Sequence, residues 1–550
     1  MKFSFVSLKK RTKRLIVGSG VVAILLAAGI IQQQFFEASE VSIGRQAQYR
    51  LDSYPWREAP HRVRLVHDPS EAFSLRRQLI RQATTSIDMC TFLWKDDEMG
   101  LALLQELVAA AERGVKVRLL GDGIFFMRQP AKVAAIAQAH PRLNLRLYNP
   151  LDHEVASLEP SSLEKMVLDF SEINQRLHMK ILAIDDRQAL VGGRNVGNEY
   201  FGRDEELNFM DRDLLIEGPA VTDIAAAFGL FWNDLRTETA LELDDVASSS
   251  PNTSWLQQPT GDFVTEKKEQ PLWREVDRVA VWHDRPGLIG SEDEYNYRLL
   301  ADKLVALVGG AEQSVIIETP YLVLSERTQV LLKELRRKKP EMPIRFLTNS
   351  LASTDTWQAY AAFQEQLRTM LGELRLLLHL KKPGSLRERS GESSKTSSLH
   401  SKTIIVDEQK SAIGSYNWDP RSGIWNAEIM VVIDDTAFAR ELTQYMEPLW
   451  TPEVSWVVAE LQQPIGLEQI DAIGSTVNAL LAETLGINAW PLTNTACFEY
   501  SGSRVLSPFH PDFYDHYTSV GSFPEVSITA RKRILTNLLQ PISGTLAPTL

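Results

Sequence analysis

Two segments of this 550-residue chain carry the same polar residues at the same spacing. Leu177 to Asp185 reads Leu-His-Met-Lys-Ile-Leu-Ala-Ile-Asp, and Leu399 to Asp407 reads Leu-His-Ser-Lys-Thr-Ile-Ile-Val-Asp. Asn195 and Asn417 follow at equal distances from the two histidines. Agreement at four polar positions inside matched apolar runs marks an internal repeat, so the chain must fold as two similar units. The preceding residues repeat as well. A strand pattern at 85–92, a helical pattern from Leu101 to Arg113 ended by Gly114, and a strand at 115–120 recur as a strand at 313–320, a helix from Thr328 to Lys338 and a strand at 343–348. Strands alternating with helices predict an α/β architecture in each half, with a sheet flanked by helices.

In a strand, residues i and i+2 share a face. His178 and Lys180 are therefore expected side by side, as are His400 and Lys402. An imidazole beside an ammonium suits a phosphate: the lysine binds the oxyanions, and the histidine attacks phosphorus or moves a proton near neutral pH. Two such faces in one site give a nucleophile and a general acid, which phosphodiester exchange through a phosphohistidine requires. Asn195 and Asn417 are placed to donate amide hydrogens to the same phosphate. Asp185 and Asp407 complete the motif and count among the candidate catalytic residues. Their strand parity is opposite, however, which points them away from the imidazoles and toward a neighbouring turn. A lysine beside each imidazole would repel a cation, so neither metal nor cofactor is expected.

Residues 1–36 form a separate unit. Six basic residues lie within the first fourteen, and the run Leu15 to Ile31 carries no charge. As a helix it would span roughly 25 Å, enough for a thin bilayer. Basic residues before the run and Glu37 and Glu40 after it predict an uncleaved transmembrane helix, with the N-terminus in the cytoplasm and the remaining domains across the membrane. A cleaved signal peptide is the rival reading. Residues 60–236 and 274–450 are the two repeats. The Asp-, Ser-, Pro- and Thr-rich stretch 237–273 reads as a linker, and 451–550 as an extension of unassigned role. The polar segment 382–398, which runs into the second motif, reads as a candidate lid or a solvated insertion. A net charge of −12 disfavours a nucleic-acid partner, whose binding draws on lysine and arginine. The two cysteines, Cys90 and Cys497, have no metal-site or disulfide-framework spacing.

The doubled His-x-Lys-x4-Asp motif resembles the signature of the phospholipase D superfamily over about residues 60–450. The segments 193–201, 209–213, 348–355 and 414–422 are similar to bacterial cardiolipin synthases, particularly their C-type branch. The resemblance implies two phospholipase D-like domains with mixed sheets, related by a pseudo-two-fold axis through one shared site. It implies His178 as nucleophile and His400 as general acid and base. It also implies a carboxylate downstream of each motif that orients a histidine, often the one from the other half; by position these are Asp211 and Glu428. The expected partners are phospholipids (phosphatidylglycerol, with phosphatidylethanolamine as a second candidate) and a bacterial inner membrane, with catalysis on the periplasmic side. A phospholipase D releasing phosphatidic acid is the alternative, ahead of a nuclease or a non-catalytic scaffold. The chain departs from the family's pattern at Asn198, where an acidic residue is common, at 356–363, which lacks a histidine, and at Cys90, where an aromatic is common.

Overall fold

The computed structural model describes residues 54–156, 173–251, 253–261, 273–287, 299–384, 396–461, 495–500 and 506–522. The expected membrane helix at 15–31 and most of the expected lid, 385–395, lie outside these residues.

The two halves meet where strand Arg57–Val66 pairs antiparallel with strand Arg274–His283. Outward from this junction the first half runs Asp213–Glu217, Gln188–Gly192, Ile181–Ile184, Ser86–Thr91, Lys116–Asp122, Leu143–Tyr148 and Thr237–Thr239. The second half repeats that order with Ile429–Asp434, Lys410–Gly414, Thr403–Val406, Val315–Glu318, Ile344–Asn349, Leu377–Lys381 and Ser455–Glu460. Both halves mix parallel and antiparallel ladders, and the matching order is the pseudo-two-fold relation in backbone form.

Most strands are buried on both faces, hence their near-continuous apolar runs. One face of each sheet is covered by its own helices: Pro69–Gln82 and Glu98–Glu112 in the first half, and Leu299–Gly309, Glu326–Lys338 and Trp357–Arg368 in the second. The inner faces share a central core that takes Val63, Ile181 and Ile216 from one half and Val279, Ile405 and Val431 from the other. Helices Ala220–Trp232 and Thr436–Met446 pack into it.

Local chemistry sets the helix ends. Asp97 accepts the Gly100 N–H and starts its helix three residues ahead of the apolar pattern, while Gly114 stops it at φ 100°. Ser325 caps Glu326–Lys338, whose last turn gathers Arg336, Arg337 and Lys338 against the negative end of the helix dipole.

Two boundaries differ from the sequence reading. The supposed linker begins as structure: Thr237–Thr239 is an edge strand, and Ala240, Leu243 and Val246 are buried in the first core. Over 237–247 its polar composition reflects one solvated face of packed structure. The second half extends past Trp450, because Ser455–Glu460 joins its sheet and then pairs with Thr495–Tyr500, which pairs with Tyr517–Ser522. Cys90 and Cys497 are buried thiols in separate cores.

Candidate active site

Two very short parallel ladders cross between the halves. Arg176–Leu177 pairs with Asn426–Ala427, and Leu207–Met210 pairs with Thr396–Leu399. Each ladder ends just before a histidine on one side and just before a carboxylate on the other. The His178 N–H donates to Ala427 O at 3.0 Å, and the His400 N–H donates to Met210 O at 2.7 Å. The registers thus set His178 against Glu428 and His400 against Asp211, each pair drawn from both halves.

This corrects the expectation of an unbroken strand through each motif. His178-Met179-Lys180 and His400-Ser401-Lys402 fall between strands, because the chain changes partners there: it leaves the cross-half ladder and enters its own sheet at Ile181 or Thr403. Histidine and lysine stay adjacent by another route. Lys180 Nζ donates to His178 O at 2.6 Å, and Lys402 Nζ donates to His400 O and lies 3.0 Å from His400 Nδ1.

The ring contacts are specific. His178 Nδ1 lies 2.8 and 2.9 Å from the Glu428 carboxylate oxygens, and His400 Nδ1 lies 2.5 Å from Asp211 Oδ2. Both arrangements fix the ring and leave Nε2 for chemistry. Ser415, Ser422 and Asn426 donate to Glu428, while the Arg212 N–H donates to Asp211 at 2.7 Å. Phe92 stands edge-on to His178 at 4.9 Å, and Tyr200 edge-on to His400 at 5.3 Å.

Charge is arranged unevenly over this frame. Burial, then the ammonium groups of Lys180 and Lys402, hold His178 well below the ordinary imidazole value. Burial and Lys402 bring His400 down to about 4, against the pull of Asp211. Burial pushes Glu428 up to about 7. Burial also works against ionisation of Asp211, but pairing with His400 outweighs it and holds Asp211 below the usual carboxylate range. Burial lowers Lys180 to about 7 and Lys402 to about 8.

Asp185 and Asp407 are not part of this cluster. Each sits at the far end of its strand with φ above +50° and accepts a row of backbone N–H groups. Asp185 takes those of Thr84, Thr85 and Ser86, and Asp407 those of Glu312, Gln313 and Ser314. Their place among the candidate catalytic residues is therefore corrected: they tie the start of the antiparallel neighbouring strand to the end of the motif strand. The physical reason is position: the motif strands run only from Ile181 to Ile184 and from Thr403 to Val406, so each aspartate falls in the turn past the end remote from the imidazole.

Both histidines, Asn195 and Asn417 line one cavity of about 510 Å³. Sequence reasoning missed several of its other walls. Phe92, Phe125 and Arg421 lie at the His178 end, and Tyr200, Tyr321 and Asp355 at the His400 end. It also missed the polar network behind His400, where Arg212 bonds Glu318 at 2.5 Å and Thr403 at 2.6 Å, and Ser401 bonds Glu318 at 2.8 Å. Laying one repeat over the other would have exposed these positions, since Glu318 pairs with Thr403 as Cys90 pairs with Ile181. Among the described residues, no group of three His, Cys, Asp or Glu side chains is arranged to hold a metal, and no helix is long and apolar enough to cross a membrane.

Comparison with known proteins agrees with this architecture. The profile of the family described as "Cardiolipin synthase, PLD-like domain" matches residues 77–232 and 304–450. Cardiolipin synthase C of Escherichia coli (strain K12) is 30% identical over 392 residues, 67% of this chain and 80% of that protein. Cardiolipin synthase 1 of Bacillus cereus is 26% identical over 401 residues, 72% of this chain and 68% of that one. The crystal structure of phosphatidylserine synthase from Haemophilus influenzae Rd KW20 superposes with a TM-score of 0.53 at 15% identity, covering 79% of this chain and 98% of that one, and so shares the fold.

Proposed function

The chain belongs to the phospholipase D-like cardiolipin synthase family, and from that premise we propose that it is a membrane-anchored phosphatidyltransferase. It forms cardiolipin from phosphatidylglycerol and a second phospholipid, phosphatidylethanolamine being one candidate. The observation that carries this reading is the pair of cross-half histidine–carboxylate contacts facing one cavity.

In the first step His178 Nε2 forms a bond to phosphorus, the bond from phosphorus to the leaving alcohol breaks, and His400 gives the departing oxygen its proton. In the second step His400 takes the proton of the incoming hydroxyl, whose oxygen bonds phosphorus as the P–N bond breaks. Lys180, Lys402, Asn195 and Asn417 stabilise the phosphoryl oxygens. The unequal carboxylates favour these roles. A neutral His178 keeps its lone pair for attack. In the free site burial and Lys402 outweigh the ionised Asp211 and hold His400 at about 4, and the anionic phosphodiester adds to the pull of Asp211 toward the imidazolium that the first step needs. The basic segment and apolar run at 9–31 support an inner-membrane anchor with the site on the periplasmic side.

The test is purified full-length protein with labelled phosphatidylglycerol, with and without phosphatidylethanolamine, followed by lipid chromatography. Cardiolipin is the expected product, lost in both His178→Ala and His400→Ala. Phosphatidic acid alone would replace this reading with a hydrolase. Full activity in either single variant would refute the shared site.

A further inference from the structure

The pseudo-two-fold relation breaks at one position beside the reacting centre. Tyr200 follows Asn195 by the same five residues that separate Ser422 from Asn417. Ser422 is committed elsewhere: its Oγ donates to Glu428 Oε1 at 2.8 Å and accepts the Asn417 N–H at 3.2 Å. Tyr200 instead reaches the asparagine side chain, with its hydroxyl 2.9 Å from Asn195 Nδ2. Asn195 is 3% exposed and lines the cavity, yet its Oδ1 is buried with no partner among the described residues.

The Asn195 amide nitrogen carries two hydrogens, and the Tyr200 oxygen accepts one of them. The second N–H is left to donate to a ligand in the cavity that Asn195 lines, while Oδ1 stays buried. Tyr200 suits this part. It is 5% exposed, its ring is held between Phe209 at 4.7 Å and His400 at 5.3 Å, and burial keeps its phenol protonated well above the ordinary range.

We propose that Tyr200 is a positioning residue whose hydroxyl fixes the amide of Asn195 so that Nδ2 donates to the transferred phosphate. The inference rests on the phosphodiester chemistry proposed above, but not on which alcohol accepts the phosphatidyl group. It also makes the two asparagines unequal: Asn195 is held by a neighbour, whereas Asn417 has no tyrosine at the corresponding position.

The test is a double-mutant cycle with Tyr200→Phe, Asn195→Ala and the double variant, measuring headgroup release from phosphatidylglycerol whatever the acceptor. Tyr200→Phe keeps the ring and its packing, and circular dichroism checks the fold. The expected result is a roughly tenfold fall in kcat with KM nearly unchanged, and a double variant no slower than Asn195→Ala alone. Unchanged kcat in Tyr200→Phe, or losses that multiply in the double variant, would overturn the proposal. Headgroup release without cardiolipin would count against the synthase reading and leave this one standing.

Discussion

The two halves share a frame but not what stands behind it. Strand order, cross-half ladder, histidine, lysine and asparagine recur at matched positions, whereas the supporting residues do not. The strand leading to His178 is pinned by a buried charge: Asp122 accepts the Leu177 N–H at 2.7 Å and pairs with the fully buried Arg176. The strand leading to His400 is pinned by a neutral group in the corresponding place, with Asn349 accepting the Leu399 N–H at 2.8 Å. Behind His400 lies the Arg212–Glu318–Ser401 network; behind His178 the same space holds Cys90 and Met179 in the apolar core. The repeat thus brings two equivalent histidines together, and the surroundings assign them different work.

The sharpest way to break this comparison is to neutralise the two orienting carboxylates one at a time. Asp211→Asn should lower kcat by roughly 10³- to 10⁴-fold, because it removes an ionised partner that holds the His400 tautomer and supports its imidazolium. Glu428→Gln should cost less, roughly 10²- to 10³-fold, because burial already pushes Glu428 to about 7 and much of it is protonated at neutral pH. Steady-state headgroup release measures both, and equal or reversed losses would remove the asymmetry. Glu318→Ala tests the network that stands behind His400 and has no counterpart behind His178. It leaves Arg212 buried without its carboxylate and should destabilise the fold by about 3–5 kcal/mol in denaturant unfolding.

The pH profile sharpens the account at the phosphate. An ammonium is charged below its pKa and neutral above it. With Lys180 at about 7 and Lys402 at about 8, kcat/KM should fall as pH rises through that window. A profile flat to pH 9 would show that the lysines do not serve as cations in the free enzyme. The smallest expected effect separates the motif's own aspartates from the site. Asp185→Ala or Asp407→Ala should cost about 1–2 kcal/mol of stability, as for loss of a helix cap, and change kcat by no more than about twofold.

Much of the site was legible because the repeat is polar and regular. His178, Lys180, Asn195 and their counterparts are one chemical pattern written twice, and strand parity set Asp185 and Asp407 apart from the imidazoles even though the motif strands begin only at Ile181 and Thr403. Asp211 and Glu428 were located by family resemblance and by their place ahead of matching strands. The cross-half ladders could not be read in advance. Arg176–Leu177 is two residues long and has no periodicity, and its partner, Asn426–Ala427, lies some 250 residues away. For the same reason the motif looked like one strand: Leu177 and Ile181 are both apolar, and only a partner in the other half breaks the run between them. Thr237–Thr239 was hidden by its composition, since an edge strand with a solvated face resembles a loop. Tyr200, Arg212 and Glu318 carry no motif of their own, and their meaning appears only when one half is laid over the other.

The central claim is a single site in which His178 takes the phosphatidyl group while His400, oriented by Asp211 from the opposite half, moves the proton. Its most direct test is to mix the full-length enzyme with phosphatidylglycerol for a fraction of a turnover, quench in alkaline denaturant, and map the adduct by peptide mass spectrometry. The prediction is a phosphatidyl group on the peptide carrying His178 and none on the peptide carrying His400. An adduct on His400 would contradict the assignment of roles, and adducts on both histidines would contradict the inequivalence of the two halves.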